Sequence, residues 1–145
     1  MSSRPYTARE TRWVAEYVQE KYPKAFDRGD YAFQVPLGPL SDGFTSRAAP
    51  RVDAVVFNDS RTVMIEGDIE KPMSALGDLI HYKTLFYSTR RMRDLVELPL
   101  VAILLLPDPD SNVIIEADKQ GVLVDTYKPA WLAEYMVERR GRRGR

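Results

Sequence analysis

The sequence predicts an α/β fold in which helices flank a central mixed β-sheet. Predicted helices and strands alternate along most of the chain, and two strands rich in β-branched residues are joined by a short turn. The apolar run Leu100–Leu106 has the length of a strand and no polar face, which is typical of a central strand covered on both sides. The predicted order is α-β-β-β-α-β-α-β-α.

The first half of the chain predicts one helix and three strands. Thr7 begins a capping box that includes Glu10, apolar residues follow at helical spacing, and Pro23 ends the helix. Residues 58–61, Asn-Asp-Ser-Arg, predict the turn of a hairpin. The predicted elements are a helix over Ala8–Tyr22, strands over Tyr31–Leu37, Arg51–Phe57 and Thr62–Ile69, and a long loop over Gly38–Pro50.

The second half predicts three helices and two strands. Ser74 is expected to cap a helix whose broad apolar stripe is interrupted only by Lys83. Gly121 is expected to stop a short helix, and Pro129 suits the first turn of the last one. The predicted elements are helices from Ser74 to about Arg91, over Asn112–Gln120 and over Pro129–Arg139, and strands over Leu100–Leu106 and Val122–Tyr127.

Length and composition predict one domain over residues 1–138 followed by a basic tail. The chain has 145 residues, of which 44% are hydrophobic, and this is enough for one core. Cysteine is absent, so disulfides, cysteine-based zinc sites and thiol catalysis are excluded. The chain has one histidine. The start of the sequence lacks the apolar core of a signal peptide, and no apolar run is long enough for a membrane span. We therefore expect a cytoplasmic protein.

The formal net charge is zero, but the charges are distributed unevenly. Residues 139–145 carry five arginines, which leaves 16 basic against 21 acidic groups in residues 1–138. A Gly/Arg segment has no apolar residue to bury, so we expect it to be disordered. It could contact phosphates or simply solubilise the end of the chain, and the sequence favours neither.

The predicted hairpin places two carboxylates face to face. If Phe57 pairs with Thr62, Asp53 lies opposite Glu66 on the same face of the sheet, with Cβ atoms about 4.5 to 5.5 Å apart. A register shifted by one residue would move Asp53 to the wrong face. Two ionised carboxylates at 4 Å repel by about 4 kcal/mol at an effective dielectric of about 20, so the pair needs a cation or a shared proton.

Strand alternation extends this acidic face. Glu66, Asp68 and Glu70 would project to the side that carries Asp53. Three or four convergent oxygens favour Mg²⁺ or Mn²⁺. Alternatively, the strand ends at Gly67, and Asp68, Glu70 and the following lysine are solvated loop charges.

These residues resemble the motif of the PD-(D/E)XK nuclease superfamily. The likeness covers about residues 7–106, and it implies a restriction-endonuclease-like three-layer fold. It also implies that Asp53 and Glu66 bind one or two divalent metals, with Asp68 at the position of the catalytic lysine. An acidic residue of the first helix often joins such sites, and here Glu16 is the better candidate and Glu10 the weaker one, because the capping box already explains Glu10.

The chain departs from the motif at two positions. Asp68 stands where the family has its lysine, and Asp78 stands where the RecB-like branch has the glutamine of its Gln-x-x-x-Tyr helix motif, whose tyrosine is matched by Tyr82. Lys83 is the first candidate to replace the missing lysine and Lys71 the second. Lys83 could instead extend from a buried face to water, as a single lysine on an amphipathic helix usually does.

The resemblance implies DNA as the partner, and basic residues that could contact its backbone are scattered through the sequence. The densest group follows the second helix, although cations are also favourable at a helix C-terminus for other reasons. The candidate nucleic-acid-binding residues are Arg47, Arg51, Tyr82, Arg90, Arg91, Arg93, Arg139 and Arg140.

The sequence leaves two functions open. The first is a Mg²⁺- or Mn²⁺-dependent DNA endonuclease that cleaves with low sequence specificity, acts on branched or partly single-stranded DNA, and gains specificity from a homodimer or a partner protein. The second is a catalytically degenerate nuclease-fold protein that binds DNA or serves in an assembly. A metal enzyme for a small phosphorylated substrate is less favoured, because the sequence has no Gly-rich phosphate loop.

Overall fold

The computed structural model describes residues 8–38, 49–89 and 98–143, and it has the expected α/β architecture. Its element order differs from the predicted one by a single additional helix, α2. The elements are α1 (Ala8–Lys21), α2 (Pro23–Arg28), β1 (Tyr31–Pro36), β2 (Arg51–Asn58), β3 (Arg61–Gly67), α3 (Pro72–Phe86), β4 (Leu100–Leu106), α4 (Ser111–Lys119), β5 (Leu123–Thr126) and α5 (Ala130–Arg143).

The five strands form one mixed sheet in the order β1-β2-β3-β4-β5. The first three strands form an antiparallel meander, and β4 and β5 continue from β3 as parallel strands. The β2–β3 register pairs Phe57 with Thr62 and Ala54 with Ile65, which confirms the predicted hairpin. Helices α3 and α4 connect the parallel strands, so β3 and β4 end at the same edge of the sheet.

Two apolar cores cover the two faces of the sheet. One lies between the sheet and α3 and α4, and it includes Met64, Leu79 and Leu104. The other lies between the sheet and helices α1, α2 and α5, and it includes Trp13, Ile65 and Leu132. The molecule is therefore a three-layer α/β/α sandwich. Among the described residues, no helix is both long and apolar enough to cross a bilayer.

Several element boundaries differ from the predictions. Pro23 ends α1 but also occupies the first turn of α2, where its missing N–H is not needed, and Gly29 closes this short helix in the left-handed conformation. Helix α3 begins at Pro72 with Lys71 at the N-cap, so the predicted cap at Ser74 is wrong. It also ends at Phe86, earlier than expected.

The last helix, in contrast, ends later than its predicted end at Arg139. Helix α5 continues to Arg143 and therefore includes four of the five arginines of residues 139–145. Arg139 is held in place by neighbours, since its guanidinium contacts the Tyr135 ring and forms an ion pair with Glu70. Helix α5 thus brings Arg139 beside the loop that follows β3.

Candidate metal centre and nucleic-acid interface

The candidate centre lies where β2 and β3 meet near the carboxyl end of β3. The register pairs Ala54 with Ile65, and its continuation by one residue places Asp53 opposite Glu66, as the sequence predicted. Both carboxylates are buried, with 4% of each residue exposed. Met64, two residues before Glu66, packs in the core beneath α3, so strand alternation puts both carboxylates on the α3 face of the sheet.

Each carboxylate is bound by the backbone of the opposite strand. The backbone N–H of Asp53 donates to Oε1 of Glu66 at 3.0 Å, and the N–H of Gly67 donates to Oδ2 of Asp53 at 2.8 Å. The amide of Gln34 on β1 donates to Oδ1 of Asp53 at 3.3 Å. Hydrogen bonds of this kind stabilise a charged carboxylate and fix its orientation.

The electrostatics of the pair are unfavourable when both groups are ionised. Burial raises the pKa of Glu66 well above its ordinary value, and the negative charge of Asp53 raises it further. The hydrogen bond from the Asp53 backbone lowers the pKa of Glu66, and the charge of Asp78 on α3 raises it. Glu66 therefore favours either a bound proton or a nearby cation.

The donor set suits a divalent cation of the magnesium type. Mg²⁺ is usually held by one or two carboxylates, with water and substrate phosphates completing its coordination. Asp53 and Glu66 supply two such carboxylates, and Asp78 is close enough to act on Glu66 electrostatically. Within residues 8–38, 49–89 and 98–143, no three acidic or histidine side chains converge in a metal-binding arrangement. The described residues thus provide two ligands for a metal ion, Asp53 and Glu66.

Asp68 is buried but does not extend the acidic face of the strand. Strand β3 ends at Gly67, so the predicted alternation of Glu66, Asp68 and Glu70 on one face is wrong. Oδ1 of Asp68 accepts the backbone N–H groups of Glu70 and Lys71, both at 2.8 Å, and this shapes the loop that leads into α3. The described contacts therefore give Asp68 a role in loop geometry beside the pair.

The first helix presents two glutamates in different surroundings. Glu16 accepts a hydrogen bond from Nε1 of Trp131 at 2.7 Å and forms an ion pair with Arg12, so the structure places it against α5. Glu10 is 5% exposed and lies one turn before Trp13, whose ring packs against Gly67 at the end of β3. Glu10, the weaker sequence candidate, is consequently the buried acid of the two, whereas Glu16 is partly exposed.

The structure does not bring Lys83 to the carboxylates. Its Nζ lies beside Gly121, 3.8 Å from the position that a Cβ at Gly121 would occupy. Gly121 precedes β5 and lies towards the amino ends of the parallel strands, whereas Glu66 lies near the carboxyl end of β3. Lys71, the second candidate, is exposed at the N-cap of α3 and therefore closer in sequence and in space to the end of β3.

The described candidates for nucleic-acid binding have varied surroundings. Tyr82 is 1% exposed and belongs to the core under α3, so its predicted contact with nucleic acid is wrong. Arg51 is partly buried and donates to the backbone oxygen of Gln34 at 3.0 Å. Arg140 is exposed and, with Arg139, lines a groove. The residues Arg47, Arg90, Arg91 and Arg93 lie outside the described part of the chain.

The groove lies between the loop after β3 and helix α5. It has a volume of about 240 Å³, and its walls combine apolar and charged side chains. Arg139 bridges it through its ion pair with Glu70 and donates to the hydroxyl of Tyr135 at 3.0 Å. The lining residues are Ile69, Glu70, Met136, Arg139 and Arg140.

Sequence reasoning missed a second set of basic residues, on α1. The guanidinium of Arg9 lies 4.6 Å from the ring centroid of Tyr135, and that of Arg12 lies 4.3 Å from that of Trp131. Arg9 is also paired with Glu138 and Arg12 with Glu16, and about half of each arginine side chain remains exposed. Arg9 and Arg12 are three residues apart on an amphipathic helix, and this spacing could have indicated that they share one face.

Comparison with known proteins identifies the fold. Neither a protein-family model nor a characterised protein sequence matches the chain. Among solved structures, a repair endonuclease from Pyrococcus abyssi is similar, with a TM-score of 0.56 and 15% identity over 88% of this chain. A complex of EndoMS with double-stranded DNA is similar over 89% of this chain, with a TM-score of 0.51 and 16% identity.

These similarities establish the class of fold. The chain has the restriction-endonuclease-like fold, a mixed five-stranded sheet between layers of helices. It spans about half the length of each of the two structures, 50% of the first and 48% of the second. At this level of identity the likeness concerns the fold, and the function has to be argued from the residues of this chain.

Proposed function

We propose that the protein is a metal-dependent DNA endonuclease that hydrolyses phosphodiester bonds. The observation that carries this proposal is the buried, opposed pair of Asp53 and Glu66 near the carboxyl end of β3. The fold adds support, because the similar structures are described as a repair endonuclease and as EndoMS bound to double-stranded DNA.

The cofactor that fits the pair best is Mg²⁺ or Mn²⁺. Asp53 and Glu66 would hold the ion, which relieves the repulsion between their buried charges. A bound ion of this type polarises a phosphate and lowers the pKa of bound water. The protein's own contribution is to fix the orientation of the carboxylates through the N–H groups of Asp53 and Gly67.

The proposed DNA path passes over the groove between the loop after β3 and helix α5. Arg139 and Arg140 line this groove, and Arg9 and Arg12 lie on the adjacent helix. These side chains could contact phosphates without reading bases, which fits low intrinsic sequence specificity. We propose branched or partly single-stranded DNA as the substrate, and a homodimer or a partner protein in the cytoplasm as the source of further specificity.

A cleavage assay tests the proposal directly. Supercoiled plasmid, a four-way junction and a splayed duplex are incubated with the protein in Mg²⁺, in Mn²⁺ and in chelator. We expect metal-dependent cleavage that falls by about a hundredfold or more in Asp53→Asn and in Glu66→Gln, because each removes a metal ligand. Glu116→Gln is the matched control, since Glu116 pairs with Lys119 on the surface of α4, and it should retain activity. Absence of cleavage in both metals, or full activity of Asp53→Asn, contradicts the proposal.

The second candidate is a degenerate nuclease-fold protein that binds DNA without cutting it. It is favoured by Asp68 at the lysine position and by the distance of Lys83 from the pair. Calorimetry with Mn²⁺ and a DNA-binding assay separate the two. A degenerate module should bind DNA equally well with or without metal, and Mn²⁺ should give no binding heat that depends on Glu66.

A further inference from the structure

Gln34 has an unusual backbone conformation in the middle of a strand. Its φ is 52°, in the left-handed region that residues other than glycine rarely adopt. The β1–β2 register pairs Phe33 with Ala54 and Val35 with Val52, which places Gln34 opposite Asp53. The distortion of β1 therefore occurs at the position that faces the first carboxylate of the candidate centre.

The side chain and backbone of Gln34 are both held in this arrangement. Its amide donates to Oδ1 of Asp53 at 3.3 Å, and Arg51 donates to its backbone oxygen at 3.0 Å. Since Gly67 donates to Oδ2 of Asp53, both oxygens of that carboxylate have a donor. The two donors fix the rotation of the Asp53 carboxylate about its side-chain bond, and Arg51 holds the backbone that carries one of them.

The setting of Gln34 differs from that of the other described non-glycine residue with positive φ. The other described non-glycine residue with positive φ is Asp59, at 54°, which lies in the β2–β3 turn. Aspartate tolerates this conformation, and tight turns often require it. Gln34 lies within a strand, where the extended conformation is normally available. Strain retained at such a position is typical of residues that serve a site.

We propose that Gln34 is a positioning residue that orients Asp53 for binding a divalent cation. The inference rests on the metal-dependent function proposed for the Asp53–Glu66 pair. Residues that hydrogen-bond to metal ligands typically change metal affinity by about ten- to a hundredfold when they are replaced. Gln34 donates to the ligand without itself contacting the ion. It is thus distinct from Asp53 and Glu66, which would hold the ion directly.

The test measures metal affinity and thermal stability separately. In Gln34→Gly the amide is lost and the backbone strain is relieved, so we expect Mn²⁺ to bind about tenfold more weakly by calorimetry. The Tm should be unchanged or higher by about 2 to 4 °C, because glycine adopts positive φ without strain. In Gln34→Met the amide is lost but the size of the side chain and the strain remain, and we expect the same loss of affinity.

Asp59→Gly is the matched control, because it relieves the same kind of strain away from the carboxylates. It should bind Mn²⁺ as the wild-type protein does. If Gln34→Gly and Gln34→Met also bind Mn²⁺ as the wild type does, the positioning role is wrong while the metal site stands. If a lower Tm is the only change, Gln34 is merely structural. If the wild-type protein binds no Mn²⁺, the proposed function itself fails.

Discussion

Replacing Glu66 by glutamine should stabilise the metal-free protein at neutral and alkaline pH. The substitution removes one of two opposed negative charges but keeps an oxygen that can accept the N–H of Asp53. Opposed carboxylates in adjacent strands lie about 5 Å apart, and two charges at about that distance repel by about 3 kcal/mol at an effective dielectric of about 20. We therefore expect the free energy of unfolding of Glu66→Gln to exceed that of the wild type by about 1 to 3 kcal/mol at pH 8 in chelator.

The sign of the pH dependence follows from the raised pKa of Glu66. The native state holds this proton more tightly than the unfolded state, in which the pKa is near the ordinary value of 4.5. The stabilisation from the bound proton is fully present below about pH 4.5, and it is lost as the pH rises through the folded-state pKa. The advantage of Glu66→Gln should thus be absent at low pH and grow towards pH 8.

Urea denaturation at several pH values, with and without Mg²⁺, measures both effects. Mg²⁺ should raise the stability of the wild type and leave Glu66→Gln nearly unchanged. Glu16→Gln is the control, because Glu16 pairs with Arg12 at the surface and its replacement should change stability by only about 0.5 kcal/mol. Equal pH dependence of the wild type and Glu66→Gln in chelator would refute the reasoning.

Two further substitutions test the packing and capping around the site. A Cβ on Gly67 would meet Cζ3 of Trp13 at 3.0 Å. Gly67→Ala should therefore lower the free energy of unfolding, measured in urea, by about 1 to 3 kcal/mol. Unchanged stability would mean that the Trp13 ring can move aside freely. Asp110→Ala removes the side chain that accepts the N–H of Val113 at the start of α4 and should lose about 1 kcal/mol, whereas Asp110→Asn should retain most of the stability in the same titration.

The hairpin that carries the site was predictable because local signals agreed. β-Branched residues marked both strands, a polar turn lay between them, and the side-chain period of two then fixed which residues share a face. The burial of Asp53 and Glu66 followed from the same pattern. Helix α2 was not predicted because Pro23 can both end one helix and begin the next.

Other features depend on tertiary contacts that no local pattern records. Helical spacing could not decide between Glu10 and Glu16, because α1 packs against the sheet on one side and against α5 on the other. Lys83 interrupts an apolar stripe, but its position beside Gly121 depends on where α4 lies. The positive φ of Gln34 has no signature in its residue type, and its hydrogen-bond partners Asp53 and Arg51 come from the neighbouring strand.

The antiparallel meander β1-β2-β3 also has a kinetic consequence. Asp53 and Glu66 are only 13 residues apart and are joined through a tight turn, so they meet as soon as this local hairpin closes. Local pairings of this kind form more readily than the parallel pairings of β4 and β5, which require long crossovers. We expect the repulsion between the two carboxylates to slow folding itself, and a divalent cation to accelerate refolding more than it slows unfolding.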